Sequence, residues 1–276
     1  MQRKLLTKKQ LSSEQIKEFV DKEDCRYLKY SDCIFEYPTN DNSIYIYANS
    51  VDAFRIIMKN APLSFFFYLN GSVILHSSSV VFNNRIAAFI ANKGTGKSTL
   101  AYSLSKRYKL FSDDQLKITS IKTPANQQCL LTCYSPGTTV KLTKETSVLL
   151  GEKLQGEYNN RYDKMILCDR SMFLQTPLPI GAIFVLRRDN ATDTPNVTPI
   201  KDSFHKKIII KNHILGKEAI SNNQLDNQTL IDLLSSSIGI YYLHLPTLSN
   251  STNTERLIEK YTDILKFYLG EHNEDN

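Results

Sequence analysis

The sequence predicts an α/β fold, and three observations predict it. The apolar run Arg85–Ala91 (RIAAFIA) has the composition of a strand covered on both faces. Directly after it, NKGTGKSTLAYSLSKRY (92–108) is a glycine loop leading into a helical pattern. Further on, buried-type strand patterns at 180–189 (IGAIFVLRRD) and 240–245 (IYYLHL) alternate with helical patterns at 202–220, 227–237 and 253–270.

The remaining elements follow in chain order. SSEQIKEFV (12–20) opens as a short helix, with Ser12 or Ser13 able to cap it and carboxylates in its first turn. SIYIYA (43–48) alternates and reads as a strand. FFFYLNGSVILHSSSVVFNNRIAAFIA (65–91) holds three short apolar runs broken at Asn70-Gly71 and Asn83-Asn84, both turn signals, which predicts a meander of strands. LFSDD (110–114) is a short strand ending in acids. Residues 115–149 alternate weakly, with turn signals at Thr123-Pro124 and Pro136-Gly137, and read as strands; 190–199 (NATDTPNVTP) reads as a loop. Residues 1–62, short and poor in apolar runs, are expected to form a small β-rich N-terminal lobe beside one larger domain over 63–276.

Composition bounds the function classes. With 41% apolar and 22% charged residues in 276, the chain is an ordinary globular one, long enough to bury a core without staples. Its net charge of +6 is mild and spread along the chain, which speaks to solubility and not to a nucleic-acid partner. No run of 18 apolar residues occurs, so no membrane helix is expected, and the basic start lacks the apolar segment of a signal peptide. The five cysteines (Cys25, Cys33, Cys129, Cys133 and Cys168) form no CxxC and fit reduced thiols of a cytoplasmic protein. Cys129 and Cys133 fall on one face of a strand at period two, as packed or half-exposed thiols. The sequence leaves homo-oligomer formation open.

The chemistry concentrates at one motif. Ala91-Asn92-Lys93-Gly94-Thr95-Gly96-Lys97-Ser98, followed by Thr99, fits the phosphate-loop template G-x-x-x-x-G-K-[ST] except that Ala91 stands in place of the first glycine. Gly94 and Gly96 let the backbone turn its N–H groups around a phosphate. Lys97 supplies a point charge for the β/γ phosphates, and Ser98 a hydroxyl for Mg²⁺. A helix beginning near Lys97 points its positive end at the same anion.

Two further elements flank the loop. Asp113 and Asp114 come sixteen and seventeen residues after Lys97, one helix, one tight turn and one strand later. On their own they would read as an acidic turn capping the next element. Beside a phosphate loop, one suits hydrated Mg²⁺ and the other the proton of an attacking hydroxyl. His76 lies fifteen residues before Ala91 in VILHSSSVV. It reads either as a structural histidine or as a cleft group that titrates near neutral pH. Lys164, Arg187 and Arg188 are either solvated charges or cations that clamp an acceptor or a γ-phosphate. His205, His213 and His244 show no ligand spacing.

These elements in this order, LHSSSVV, then AAFIANKGTGKSTLA, then LFSDD, resemble the kinase domain of the HPr kinase/phosphorylase superfamily. They look most like its smaller serine-kinase relatives that accompany peptide-modifying gene sets, such as lasso-peptide tail kinases. YSPGTTVKL, PLPIGAIFVLRRD and IYYLHLPTLSN extend the resemblance to the C-terminus. It implies a P-loop kinase core of the HPr kinase/phosphoenolpyruvate carboxykinase type, with a mixed sheet. It implies ATP and Mg²⁺, and a serine hydroxyl of a peptide or protein as acceptor. Carried over by motif, Asp114 matches the general base, Asp113 the acid that supports metal and loop, and His76 the histidine near the accepted phosphate. TPIKDSF (198–204) stands where the larger enzymes carry a Pro-Gly-Arg-Asn type signature, so neither phosphorylase activity nor HPr as substrate is carried over. The competing reading from a different class is an ATP-binding sensor with little turnover, and a third is a small-molecule kinase.

Overall fold

The computed structural model describes residues 4–7, 25–30, 33–38, 43–48, 67, 71–122, 129–135, 137–150, 156–159, 163–189, 193–215, 228–246 and 254–270. The chain divides into two compact units. One takes Met1–Ile74 with Ile214–Asn227, and the other takes Leu75–His213 with Gln228–Asn276. The division thus falls at Ile74/Leu75, whereas the sequence pattern places it at 62, and a short internal segment joins the first unit.

The first unit holds β1 (Lys4–Thr7), β2 (Cys25–Tyr30), β3 (Cys33–Pro38) and β4 (Ser43–Ala48), in the spatial order β1-β4-β3-β2. β4 is the alternating SIYIYA segment; it pairs parallel with β1 and antiparallel with β3. Ile34 and Ile46 are fully buried, as alternation places them. The SSEQIKEFV segment lies outside the described residues.

β5 (Ser72–Leu75) crosses the division at its last residue, and the second unit continues with β6 (Ser77–Phe82), β7 (Arg85–Ile90) and α1 (Lys97–Leu104). β6 and β7 form a hairpin closed by Asn83-Asn84, whose φ angles of 46° and 56° are those of a type I′ turn. The segment VILHSSSVVF is not one strand. His76 interrupts it, because its N–H leaves the sheet ladder to donate to the His213 carbonyl at 2.8 Å. Of the first apolar run (65–69) only Phe67 is described, and it is helical; the rest of the expected strand lies outside the described residues.

The sheet continues through β8 (Leu110–Ser112), β9 (Leu116–Lys122), β10 (Cys129–Tyr134), β14 (Leu178–Arg188), β15 (Asn196–Pro199) and β16 (Gly239–Leu245). β7, β14 and β16 run parallel to one another. β6 pairs antiparallel with β7 and β8, and β15 antiparallel with β16. The start of β14 pairs antiparallel with β10, which pairs with β9. A separate small sheet has β13 (Lys164–Leu167) between β11 (Val140–Leu142) and β12 (Glu157–Asn159).

β7 is buried on both faces, from Ile86 to Ile90, as its apolar run requires. On one face Ala87, Phe89, Phe184, Leu186, Leu243 and Leu245 pack with Leu100, Ala101 and Leu104 of α1. Tyr261, Leu265 and Leu269 of α5 (Thr254–Leu269) join the same cluster, spaced to share one helix face. Truncating a side chain such as Phe89 here would cost about 3–5 kcal/mol. On the other side, α3 (Ser203–His213) and α4 (Gln228–Ser237) are linked by Lys207 and Asp232 at 2.9 Å.

Four expectations need correction. KETSVLL forms a helix, α2 (Lys144–Leu150), because Thr143 Oγ1 accepts from the Thr146 N–H at 3.4 Å and Glu145 sits in the first turn. Asn196–Pro199 is a strand and not loop, since β16 offers it an open edge. The helix expected over 202–220 ends at His213. Cys129 is exposed and Cys133 buried, because β14 covers β10 only at Thr132 and Cys133. Thr123-Pro124 and Pro136 lie outside the described residues. Among the described residues no helix is long and apolar enough to cross a membrane.

Candidate active site

The strand directions decide which residues meet. β7 ends at Ile90 and delivers the loop 91–96 at one edge of the sheet. β6 is antiparallel, with Ser77 opposite Ile90, so its start and the preceding His76 lie at that edge. β8 is antiparallel to β6, with Ser112 opposite Ser79, so Asp113 and Asp114 emerge there too. β14 is parallel to β7, with Val185 opposite Ile90, so Arg187 and Arg188 extend just beyond the loop. Crevices at the carboxyl ends of parallel strands are where α/β sheets place their chemistry.

The loop has the backbone its sequence requires. Gly94 and Gly96 have φ of 84° and 117°, the left-handed region open to glycine. Ala91 is not at positive φ; it is buried in the core, so alanine fits where the template has glycine. Asn92 and Lys93 are exposed, and Thr95 Oγ1 donates to the Asn92 carbonyl at 3.0 Å. α1 starts at Lys97, leaving its first N–H groups without helical acceptors beside the loop. Lys97 is 7% exposed, and its ammonium donates to the carbonyls of Ala91 at 2.8 Å and Asn92 at 3.4 Å. Burial pulls its pKa below the usual lysine range, against Asp114 and Asp113, which pull it up. Thr99 Oγ1 lies 3.1 Å from Thr146 Oγ1 and ties α1 to α2.

The two acids have different surroundings. Asp113 accepts from Ser78 Oγ at 2.5 Å and from the Lys141 N–H at 3.0 Å, and the Ser98 hydroxyl lies near enough to favour its ionised form. Burial and then the Asp114 charge push its pKa up, against the hydrogen bonds from Ser78 and Lys141 and the nearby Ser98 hydroxyl. Asp114 has φ 67°, a rare conformation for a non-glycine residue and one that concentrates at functional sites. Burial would raise its pKa, but the hydrogen bond and charge of Lys141, then His76, outweigh it and hold the carboxyl below its ordinary value. Lys141 Nζ is 2.5 Å from Asp114 Oδ2, and His76 Nε2 is 3.9 Å from Asp114 Oδ1. Burial, then the Lys97 charge, lowers the His76 pKa, so the ring is neutral at neutral pH.

All of the sequence-singled residues from His76 through the loop to Asp114 therefore share one edge. Lys164 acts on Asp114, Lys97 and His76 through its charge. Arg188 reaches the Gly94 carbonyl at 3.5 Å. Arg187 turns away and lies over the Tyr242 ring. His213 contributes its carbonyl to His76, while His205 and His244 sit with Tyr242. Sequence reasoning missed Lys141 and Ser78. Ser78 sits in the small-residue run after His76, and Lys141 in the alternating VKL.

The donor set suits a hard cation and a polyphosphate. Ser98 and Asp113 present oxygen ligands side by side, and Mg²⁺ is commonly held by one or two carboxylates plus substrate phosphates. Among the described residues no group of three His, Cys, Asp or Glu is placed to hold a metal by itself. No family model matches the chain. No curated protein matches it either. Among solved structures, the HPr(Ser) kinase/phosphatase from Coxiella burnetii is similar at 12% identity and a TM-score of 0.35, over 70% of this chain and 98% of that one. A likeness of that size carries no chemistry with it.

Proposed function

We propose that this chain is an ATP- and Mg²⁺-dependent kinase that transfers the γ-phosphate to a serine hydroxyl of a peptide or protein. The observation that carries the reading is the pair of adjacent acids beside Lys97. Asp114 is held ionised by Lys141, while Asp113 is buried against Ser78 and Ser98. Adjacent acids driven apart in pKa can take different roles.

In this reading the loop N–H groups and the start of α1 bind the triphosphate. Lys97 exchanges its loop carbonyls for phosphate oxygens. Ser98 and Asp113 would hold Mg²⁺, which would supply charge neutralisation on the transferring group. Asp114 accepts the proton of the serine hydroxyl as its oxygen bonds to the γ-phosphorus. The bond from that phosphorus to the β–γ bridging oxygen breaks, and ADP departs. Neutral His76 holds a position beside the base and the acceptor.

The test is transfer of labelled γ-phosphate from ATP to serine-containing peptides, with ribosomally made precursor peptides as the first acceptors. Stoichiometric label on serine in the parent, lost in Asp114→Asn, supports the reading. Tight Mg-ATP binding with no transfer to any peptide or protein replaces it with a nucleotide-sensing module. Transfer to small hydroxyl compounds alone replaces it with a small-molecule kinase.

A further inference from the structure

The glycine loop divides the working edge of the sheet in two. Over β6 and β8 stand His76, Asp113 and Asp114. Over β14 and β16 stands a second group that phosphoryl transfer leaves idle. The Arg187 guanidinium lies over the Tyr242 ring, 3.5 Å from its centroid. The Tyr242 hydroxyl is fixed by His205 Nε2 at 2.9 Å. His244 meets the Tyr242 ring edge-on at 6.5 Å, and its Nε2 is 3.3 Å from Thr198 Oγ1. Strand register sets this group on one side of the sheet, with His244 opposite Arg187 and Thr198 opposite Tyr242. Arg188, next along β14, touches the loop itself at Gly94.

We propose that Arg187 and Tyr242 form the shelf on which a purine base of the bound nucleotide stacks; the inference rests on the nucleotide reading above. A γ-phosphate presented to Asp113 and Asp114 lies toward β6 and β8. The nucleoside end then trails the opposite way along the edge, toward β14 and β16. From β7 to β16 is two strand spacings, about 10 Å, and the shelf lies on the sheet face turned away from α1, so an extended nucleotide reaches it by passing over the carboxyl edge. Arg187 is exposed on its outer side, and a planar guanidinium stacks on aromatic faces in this manner. Tyr242 beneath it is already oriented by His205, so little ordering remains on binding. Thr198 and His244 offer polar atoms to the base edge.

Calorimetry with Mg-ATP, Mg-UTP and Mg-tripolyphosphate separates the base from the phosphates. The parent is expected to bind Mg-ATP more tightly than Mg-UTP, and both more tightly than tripolyphosphate. Tyr242→Ala and Arg187→Lys, the latter keeping the charge on an exposed side chain, should shrink the ATP-over-tripolyphosphate ratio by roughly 5- to 150-fold, the range of base stacking. Variants that keep the parent ratio overturn the shelf and leave the phosphate site standing. A parent that binds ATP and tripolyphosphate equally does the same. A parent that binds neither overturns the nucleotide reading and the shelf with it.

Discussion

The Lys141 ammonium lies 2.5 Å from Asp114 Oδ2, and the same residue's backbone N–H donates to Asp113. One residue of the small three-stranded sheet therefore fixes both acids of the larger one. An acid so paired stays ionised, and one so oriented cannot rotate freely toward water.

Asp114→Asn keeps the shape and removes the basicity. Phosphoryl transfer should fall about 10²–10⁴-fold, with Mg-ATP affinity mostly kept. Asp113→Asn should instead raise the Mg²⁺ concentration needed for half-maximal rate. Equal transfer by Asp114→Asn and the parent would assign the base elsewhere.

Lys97→Ala removes the buried charge that stands between the acids and the loop. Turnover should fall on the order of 10²–10³-fold, as for loss of a preorganised charge stabiliser. Circular dichroism should stay native, because the bonds lost are to loop carbonyls only. Unchanged Mg-ATP binding and turnover would remove the loop from the chemistry.

His76 gives a pH signature in stability. Burial and Lys97 lower its folded pKa below the unfolded value of 6.5, so the unfolded chain binds the proton first. Stability from this residue is full above pH 6.5 and declines as pH falls toward the folded pKa. Urea unfolding of the parent should lose more stability between pH 7 and 5 than that of His76→Asn. Parallel pH curves for the two would show that His76 stays solvated.

Cysteine labelling checks the packing of β10. Cys133 is fully buried, and that burial pushes its thiol pKa up, whereas Cys129 and Cys168 are exposed. Under native conditions iodoacetamide should modify Cys129 and Cys168, and reach Cys133 only after denaturation. Site-resolved mass spectrometry reads the outcome, and native modification of Cys133 at the rate of Cys129 would contradict this packing.

Much of the candidate site was legible because it is local. The strand before Ala91, the loop, α1 and the short strand before Asp113 are contiguous, and each carries its own pattern. That His76 joins them follows from a hairpin whose turn, Asn83-Asn84, is itself a sequence signal. Lys141 was not legible, because it arrives from another sheet and nothing in VKL tells which acid it will meet. α2 was hidden by β-branched residues that alternate; its cap at Thr143 decided against a strand. β15 was hidden by polar composition, since an edge strand needs only a neighbour with free backbone groups. The left-handed backbone of Asp114 is only weakly signalled, since aspartate tolerates that region without requiring it.

The Asn83-Asn84 turn closes the hairpin at the end opposite the loop, with Phe82 facing Arg85 there and Ser77 facing Ile90 at the working edge. Five residues of strand separate the two ends, roughly 17 Å. Both asparagines are exposed and already occupy backbone that glycine adopts freely. A short graft at this turn, carrying glycine where the backbone is left-handed, would give a handle for a fluorophore or a solid support without relying on a thiol, since Cys129 and Cys168 are exposed elsewhere. The molecule would then be held by the end of its sheet remote from its chemistry, and binding and turnover could be followed on single tethered copies.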